Sequence, residues 1–162
     1  MIELYHGSPF KFDTPDAMRG KMYRDFGVGF YMAENQNDAL SIAIKDSYDG
    51  YLYTFEVDDD AIFRNLSVVE FDGFEDPWLE FVFNCRTTGY QEGYDVVIGQ
   101  TAGGHVNDLF SRYRNEERSF DEKVAAEMYR EITDTRFGLQ WCFATEAALS
   151  YAELIEVEEI SR

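Results

Sequence analysis

Two hydrophobic periods alternate along the chain, and this alternation restricts the possible folds more than any other feature of the sequence. From Tyr51 to Val57, an aromatic or apolar residue occupies every second position, which is the period of a half-buried strand. At 76–86 the apolar residues follow helical spacing, and Pro77 stands where a first helical turn accepts proline. The sequence contains no linker, repeat or low-complexity segment. We therefore expect a mixed α+β fold in a single domain over residues 1–162.

The same patterns predict six strands and four helices. We expect strands at 2–6, 27–33, 51–57, 94–98, 138–144 and 152–160. We expect helices at 36–46, 76–86, 105–118 and 120–132, with Asn35, Asp76 and Ser119 as caps, and a further helical turn at 145–150. The run Asp58-Asp59-Asp60 is expected to be a solvated turn that closes the third strand.

Composition excludes several classes of protein. Aromatic residues make up 17% of the chain, whereas a disordered tail would contain few of them. A chain of 162 residues is long enough to form a hydrophobic core without disulfides or bound metals. The net charge of −18 disfavours modules that bind duplex nucleic acid or anionic lipid through a basic surface, although a basic cleft confined to one part of the surface remains an alternative. An acidic surface favours solubility or a basic protein partner.

Cysteine content and hydropathy indicate the compartment. Cys85 and Cys142 are too few for a disulfide framework or a four-cysteine zinc site, and they fit reduced thiols in the cytoplasm. The first six residues do not resemble a signal peptide, and no apolar run reaches the length of a membrane helix. We therefore expect a cytoplasmic protein without a membrane partner, which could also be delivered to a target as an effector.

Two other chemistries find weak support in the sequence. Asp25-Phe26-Gly27 matches the magnesium motif of protein kinases, but the remaining kinase motifs are missing and the chain is too short for both lobes. Cys142 with His6 could form a thiol nucleophile and its base, but the apolar run Trp141-Cys142-Phe143 indicates core packing. His6 and His105 lack the spacing of a metal site, so we expect no metal.

The first two strands carry the most informative residues. Leu4-Tyr5-His6-Gly7-Ser8 places a histidine where a strand gives way to a glycine turn, and Gly27-Val28-Gly29-Phe30-Tyr31 places glycines beside a tyrosine. Because glycine has no Cβ, a flat ligand can lie against such a backbone, and the exposed amides can read a carboxamide edge. A structural histidine and a core tyrosine remain the alternatives.

These motifs and their order resemble the ADP-ribosyltransferase superfamily, in the His-Tyr-Glu branch that includes poly-ADP-ribose polymerases and diphtheria-type toxins. More of the chain resembles a small bacterial family assigned to that superfamily as an uncharacterised domain. The pieces that carry this second resemblance are Asp25-Phe26-Gly27-x-Gly29-Phe30-Tyr31, Trp78-x-x-Phe81, Tyr94-Asp95-Val96-Val97-Ile98-Gly99 and Gln140-x-x-Phe143-x-Thr145-x-x-Ala148-Leu149.

The resemblance implies split, curved β-sheets with flanking helices and NAD bound in the cleft between them. His6 would bind the ribose next to nicotinamide, the backbone of Gly7 would pair with the carboxamide, and Tyr31 would stack on the nicotinamide ring. The neighbouring cofactor-binding candidates are Ser8, Arg24, Phe26, Gly29 and Phe30; the guanidinium of Arg24 (or of Arg19) would suit the pyrophosphate, and the two phenylalanines would wall the cleft or belong to the core.

Gln140 departs from the pattern of the superfamily, because it stands where the resemblance implies a catalytic glutamate. A neutral amide can hold the ribose but stabilises less of the positive charge that develops as nicotinamide leaves. A polar strand end is the alternative role of Gln140. The sequence does not choose among the carboxylates that could supply the missing charge, Glu127, Glu131, Asp134 and Glu146, and it offers Asn107 and Asp108 as substrate-side groups.

The resemblance implies an NAD-dependent ADP-ribosyltransferase that acts on a macromolecular acceptor, more readily a protein than a nucleic acid, with NAD glycohydrolysis as a related activity. Small bacterial transferases of this kind are often toxins with antitoxin partners, or effectors. Two alternatives remain: a sensor that binds NAD or another nucleotide without turnover, and an acidic interaction domain that has lost the site.

Overall fold

A computed structural model describes residues 1–17, 20–45, 49–91, 93–102, 104–116, 119–131 and 137–161, with the side chains of 104–107 and 128–131 excepted. The described residues form seven strands and six helices, so the expected α+β class is confirmed. In chain order they are β1 (Ile2–Ser8), β2 (Phe30–Ala33), α1 (Gln36–Ala43), β3 (Asp49–Val57), α2 (Asp59–Asn65), β4 (Val68–Glu70), α3 (Asp76–Thr88), β5 (Val96–Gln100), α4 (Gly104–Asn115), α5 (Glu122–Glu131), β6 (Leu139–Phe143), α6 (Glu146–Leu149) and β7 (Ala152–Ser161).

The strands form one curved, unclosed sheet in the order β4-β5-β6-β2-β1-β3-β7. Its ladders are antiparallel except for the β4–β5 pair. β1 pairs with β3 over its whole length, from Ile2 to Ser8, but it meets β2 at one register position, Tyr5 opposite Ala33. The sheet therefore consists of a four-stranded and a three-stranded part that join along a short seam between β2 and β1.

Both faces of the sheet are covered by hydrophobic cores. Successive residues of a strand point to opposite faces, so Phe30 and Tyr31 of β2 enter different cores. The Tyr31 face packs against α3, α4 and α5 through residues that include Trp78 and Phe110. The Phe30 face carries the second core, which includes Leu4 of β1, Phe55 of β3 and Ile62 of α2.

The structure corrects three local predictions. Residues 58–60 are not a solvated turn, because the Asp58 carboxylate accepts a hydrogen bond from Ala61 N at 3.1 Å and caps α2, which the sequence did not predict. Ser119 is not a helix cap, because Asp121 Oδ1 accepts from Val124 N at 2.9 Å and α5 begins at Glu122. Helix α3 takes Glu75, not Asp76, as its N-cap residue.

The glycines of the two motifs have packing roles. A Cβ on Gly7 would lie 1.8 Å from Ala39 O, so β1 and the backbone of α1 can touch only at a glycine. A Cβ on Gly29 would lie 2.4 Å from the Cys142 sulfur, and the absence of a side chain there brings the loop before β2 against β6. None of the helices in the described ranges is long and apolar enough to cross a membrane.

Candidate functional site

The three motif strands are neighbours in the sheet, in the order β6-β2-β1. Across β2 and β6, Tyr31 pairs with Cys142 and Ala33 pairs with Gln140, while Tyr5 of β1 pairs with Ala33 from the other side. Residues that are far apart in sequence therefore meet around the centre of the sheet. Because paired residues share a face, Tyr31 and Gln140 lie on the same face.

His6 lies at the seam where β1 and β2 separate. Its Nδ1 is 2.6 Å from Tyr31 O, and because a carbonyl oxygen only accepts, Nδ1 carries the proton and Nε2 is the acceptor nitrogen. The imidazole stacks on Phe30 with a centroid separation of 4.1 Å and meets the edge of Phe12 at 5.6 Å. The His6 ring is therefore on the Phe30 face, and it reaches Tyr31 through the backbone carbonyl of that residue.

The surroundings of His6 keep it neutral. Burial, opposed by the hydrogen bond to Tyr31 O and assisted by the charge of Arg24, lowers the pKa of His6 to about 4. A neutral imidazole at pH 7 retains the Nε2 lone pair, so His6 can accept a hydrogen bond from a hydroxyl group.

We expect His6 to make the protein less stable in mild acid. Its pKa is about 4 in the folded chain and 6.5 when unperturbed, so between these values the unfolded chain binds the extra proton and the free energy of unfolding falls as pH decreases. The expected loss between pH 7.5 and pH 5 is about 2 kcal/mol from this group. Urea denaturation at both pH values measures it.

The matched control for this prediction is His6→Asn, whose side-chain amide can donate to Tyr31 O but does not titrate. The carboxylates of the chain contribute equally to both proteins, so the difference between the two pH dependences isolates His6. An identical loss of stability in wild type and variant would show that His6 does not carry the effect.

Tyr31 is bound at its hydroxyl and covered at its ring. The Tyr31 hydroxyl donates to Gly27 O at 2.5 Å and accepts from Phe26 N at 3.0 Å, which closes the loop before β2. The guanidinium of Arg24 lies over the Tyr31 ring, 5.0 Å from its centroid, and Phe26 lies nearly parallel to it at 6.4 Å. Burial raises the pKa of Tyr31 well above its usual value, so the phenol stays protonated.

Gln140 belongs to a buried polar network centred on Asp25, whose side chain is 5% exposed. Oδ1 of Asp25 accepts from Arg86 Nε at 2.8 Å and from Arg86 Nη2 at 2.5 Å. Oδ2 of Asp25 accepts from Ala102 N and from Gln140 Nε2, both at 2.9 Å. One carboxylate thus joins the loop before β2 to the last turn of α3, the end of β5 and the strand β6.

Asp25 is the residue that the sequence analysis missed. The sequence analysis quoted Asp25 in the rejected kinase motif and in the family resemblance without giving it a role in the site, yet it is the carboxylate that contacts Gln140. Of the carboxylates left open by the sequence, Glu146 accepts from Ala17 N at 3.2 Å, and Glu127 is half-buried on α5. The described part of the structure does not include Arg19, Asp134 or the side chains of Asn107 and Glu131. Asp108 is exposed.

The remaining candidates have well-defined surroundings. Phe26 and Phe30 are both core residues, 0% and 8% exposed. The Ser8 hydroxyl donates to Phe10 O at 2.7 Å and accepts from Phe10 N at 3.1 Å, which forms a local turn. Cys142 is fully buried, as the sequence predicted, and burial raises its pKa to about 12, so the thiol is not a nucleophile at neutral pH.

Surface cavities in the described part of the chain include two that border these motifs without reaching the Tyr31 ring or Gln140. One of about 540 Å³ is lined by residues 11–16 and Glu146, and one of about 360 Å³ is lined by residues 70–73, Gln100 and Leu139. Within the described ranges, no group of three His, Cys, Asp or Glu side chains could hold a metal ion. Because the Arg24 guanidinium lies over the Tyr31 ring, a ligand that stacks on that face of the ring has to displace it.

Comparison with known proteins places the chain in a family. No curated protein matches the sequence. A family model described as "Protein of unknown function (DUF3990)" matches residues 2–154, which includes β1, β2, β6 and the Asp25 network between them. Since the match covers nearly the whole chain, the protein belongs to the DUF3990 family.

Proposed function

We propose that the protein is an ADP-ribosyltransferase that uses NAD as its donor. The observation that carries the proposal is the adjacency of β6, β2 and β1, which brings the Gln140, Tyr31 and His6-Gly7 motifs together around the sheet centre. The short seam between β2 and β1 also supports a split sheet of the kind that the sequence resemblance implies. In the reaction, the bond from ribose C1′ to the nicotinamide nitrogen breaks, and C1′ bonds to an acceptor nucleophile that loses a proton.

Arg24 and Tyr31 form the proposed nicotinamide and pyrophosphate subsite. The Tyr31 ring holds a cation at 5.0 Å from its centroid, and the cationic nicotinamide ring would exploit the same attraction. In this proposal nicotinamide replaces the guanidinium, and Arg24 turns to the pyrophosphate as its partner. Such a partner matters in a chain with a net charge of −18.

Gln140 would hold the ribose on the Tyr31 face, where it offers its amide oxygen because its nitrogen donates to Asp25. The neutral His6 ring lies on the opposite face of the sheet and would support the site by donating from Nδ1 to Tyr31 O. Acceptors around the sugar favour the positive charge that develops on the ribose as nicotinamide leaves. The acceptor substrate we propose is a protein, since the acidic chain would repel a phosphate backbone.

A second function, nucleotide binding without turnover, is favoured by one observation. The Asp25 carboxylate beside Gln140 is neutralised by two hydrogen bonds from Arg86, so the Asp25–Arg86 pair adds no net negative charge to the site. An amide alone stabilises a developing cation weakly, and such a protein would serve as a sensor or interaction module.

The experiment is an assay of NAD turnover and NAD binding on the same preparation. Purified protein is incubated with NAD and cell lysate, free nicotinamide and labelled acceptor proteins are quantified, and NAD affinity is measured by calorimetry. We expect nicotinamide release and labelling that Gln140→Ala reduces, because alanine lacks the Oε1 acceptor. Binding without release would establish the second function, and absence of both binding and release would refute both proposals.

A further inference from the structure

Resting on the proposed function, we propose that Asp25 is a positioning residue for Gln140. It fixes the side-chain amide of Gln140 with the NH₂ group turned inward and the carbonyl oxygen, Oε1, turned away as the acceptor for a ligand hydroxyl. This inference assigns a role to a carboxylate that the sequence analysis left without one, and it states which end of the Gln140 amide meets the ligand.

The argument begins with the chemistry of a carboxylate. Ionised aspartate has acceptors and no donors, so a group 2.9 Å from Asp25 Oδ2 has to donate. The Gln140 amide can do this with its nitrogen alone. Its oxygen, the other arm of the planar amide, therefore points away from Asp25. A glutamine without such a partner could turn its amide over and present the NH₂ group instead.

The position of Asp25 is itself well determined. Arg86 donates to Oδ1 with two N–H groups, Ala102 N donates to Oδ2, and the Asp25 side chain is 5% exposed. These partners are a helix side chain and a backbone amide, so the carboxylate is anchored to α3 and to the end of β5. A group held from several sides can hold Gln140 in one orientation.

This arrangement explains why a glutamate would not fit at position 140. Gln140→Glu alone would bring a second carboxylate within about 3 Å of Asp25 Oδ2, and two like charges at that distance cannot both ionise. Asparagine at position 25 supplies an N–H donor whose hydrogen bond a glutamate at position 140 would accept, while the bond from Ala102 N is lost because the asparagine NH₂ group is not an acceptor. In the double variant, Asp25→Asn with Gln140→Glu, residue 25 therefore donates this hydrogen bond and residue 140 accepts it. Strand β6 then carries the carboxylate that the resemblance implies at position 140.

The test compares Asp25→Asn, Gln140→Glu and the double variant in the nicotinamide-release assay, with kcat and KM measured separately. We expect Asp25→Asn to lower kcat about 10- to 100-fold, because the asparagine amide turns Gln140 over and presents a donor to the sugar hydroxyl. We expect Gln140→Glu to be similarly slow and the double variant to reach or exceed wild-type kcat. Loss in both single variants without recovery in the double variant, or full activity in Asp25→Asn, would overturn the proposal.

A structural readout separates this inference from the proposed function. The side-chain amide protons of Gln140, observed by NMR without NAD, are expected to exchange slowly with water in wild type and to shift in Asp25→Asn. Unchanged signals would overturn the positioning role even in an active enzyme. Shifted signals in a protein that neither binds nor cleaves NAD would leave the orientation established and refute the transferase.

The matched control is Asp95→Asn. Asp95 also accepts from a backbone amide and a side chain, Ser67 N at 3.0 Å and Thr145 Oγ1 at 2.8 Å, but it has no contact with Gln140 among the described residues. We expect this variant to lose stability and to keep the wild-type kcat and the Gln140 signals. Thermal unfolding of every variant checks that the compared proteins are folded at the assay temperature.

Discussion

Asp25→Ala is expected to lower the free energy of unfolding by about 3–5 kcal/mol, because it leaves the charge of the largely buried Arg86 without its partner. The side chains of Arg86 and Asp25 are 17% and 5% exposed, so water cannot replace the lost hydrogen bonds fully. Ala102 N and Gln140 Nε2 also lose their acceptor. Urea denaturation at pH 7 measures the effect.

Two further variants identify the cause of this loss. In Asp25→Ala/Arg86→Met both charges are removed, and we expect the double variant to be more stable than Asp25→Ala, since no uncompensated charge remains. Asp108→Ala removes an exposed aspartate and is expected to change stability by less than about 0.5 kcal/mol. A loss below about 1 kcal/mol in Asp25→Ala would contradict a structural role for the network.

The sequence predicted those helices and strands whose hydrophobic period repeats clearly within one segment of the chain. The alternation in 51–57 located β3, and the proline and apolar spacing at 76–86 located α3. Helix α2 was missed because its first turn lies in the acidic run that was interpreted as a solvated turn, and β4 was missed because three residues are too few for an alternation to repeat. The caps of α3 and α5 were misplaced because neighbouring polar residues compete for each helix start.

The Asp25 network could not be predicted from the sequence, since its contacts are set by tertiary structure. Asp25 is separated from Arg86, Ala102 and Gln140 by 61, 77 and 115 positions. Nothing in a short motif states which distant donors a carboxylate will meet. The sequence did indicate Gln140 and Tyr31, and these share a face, but it did not indicate that His6 would stack on the opposite face with Phe30.

Gln140→Ala is expected to reduce kcat for nicotinamide release about 100- to 1000-fold, the usual cost of removing one preorganised group that stabilises a developing charge. The reason is the Gln140 Oε1 acceptor, which the bond from Nε2 to Asp25 directs away from the network. The fold should tolerate the change, because Asp25 Oδ2 keeps its bond to Ala102 N and Arg86 keeps its carboxylate. Measurement of kcat and KM for NAD, with thermal unfolding of the same samples, tests the expectation.

The control for this variant is Gln100→Ala on the neighbouring strand β5. Gln100 pairs with Leu139 while Gly99 pairs with Gln140, so the two glutamines are close in the sheet, and the contact described for Gln100 is made by its backbone oxygen, which accepts from Trp78 Nε1 at 2.9 Å. We expect Gln100→Ala to keep the wild-type kcat. Equal activity of the two variants would assign Gln140 a structural role at the end of β6 and remove it from the catalytic site, whereas a loss confined to Gln140→Ala would support catalysis by an amide in place of the carboxylate.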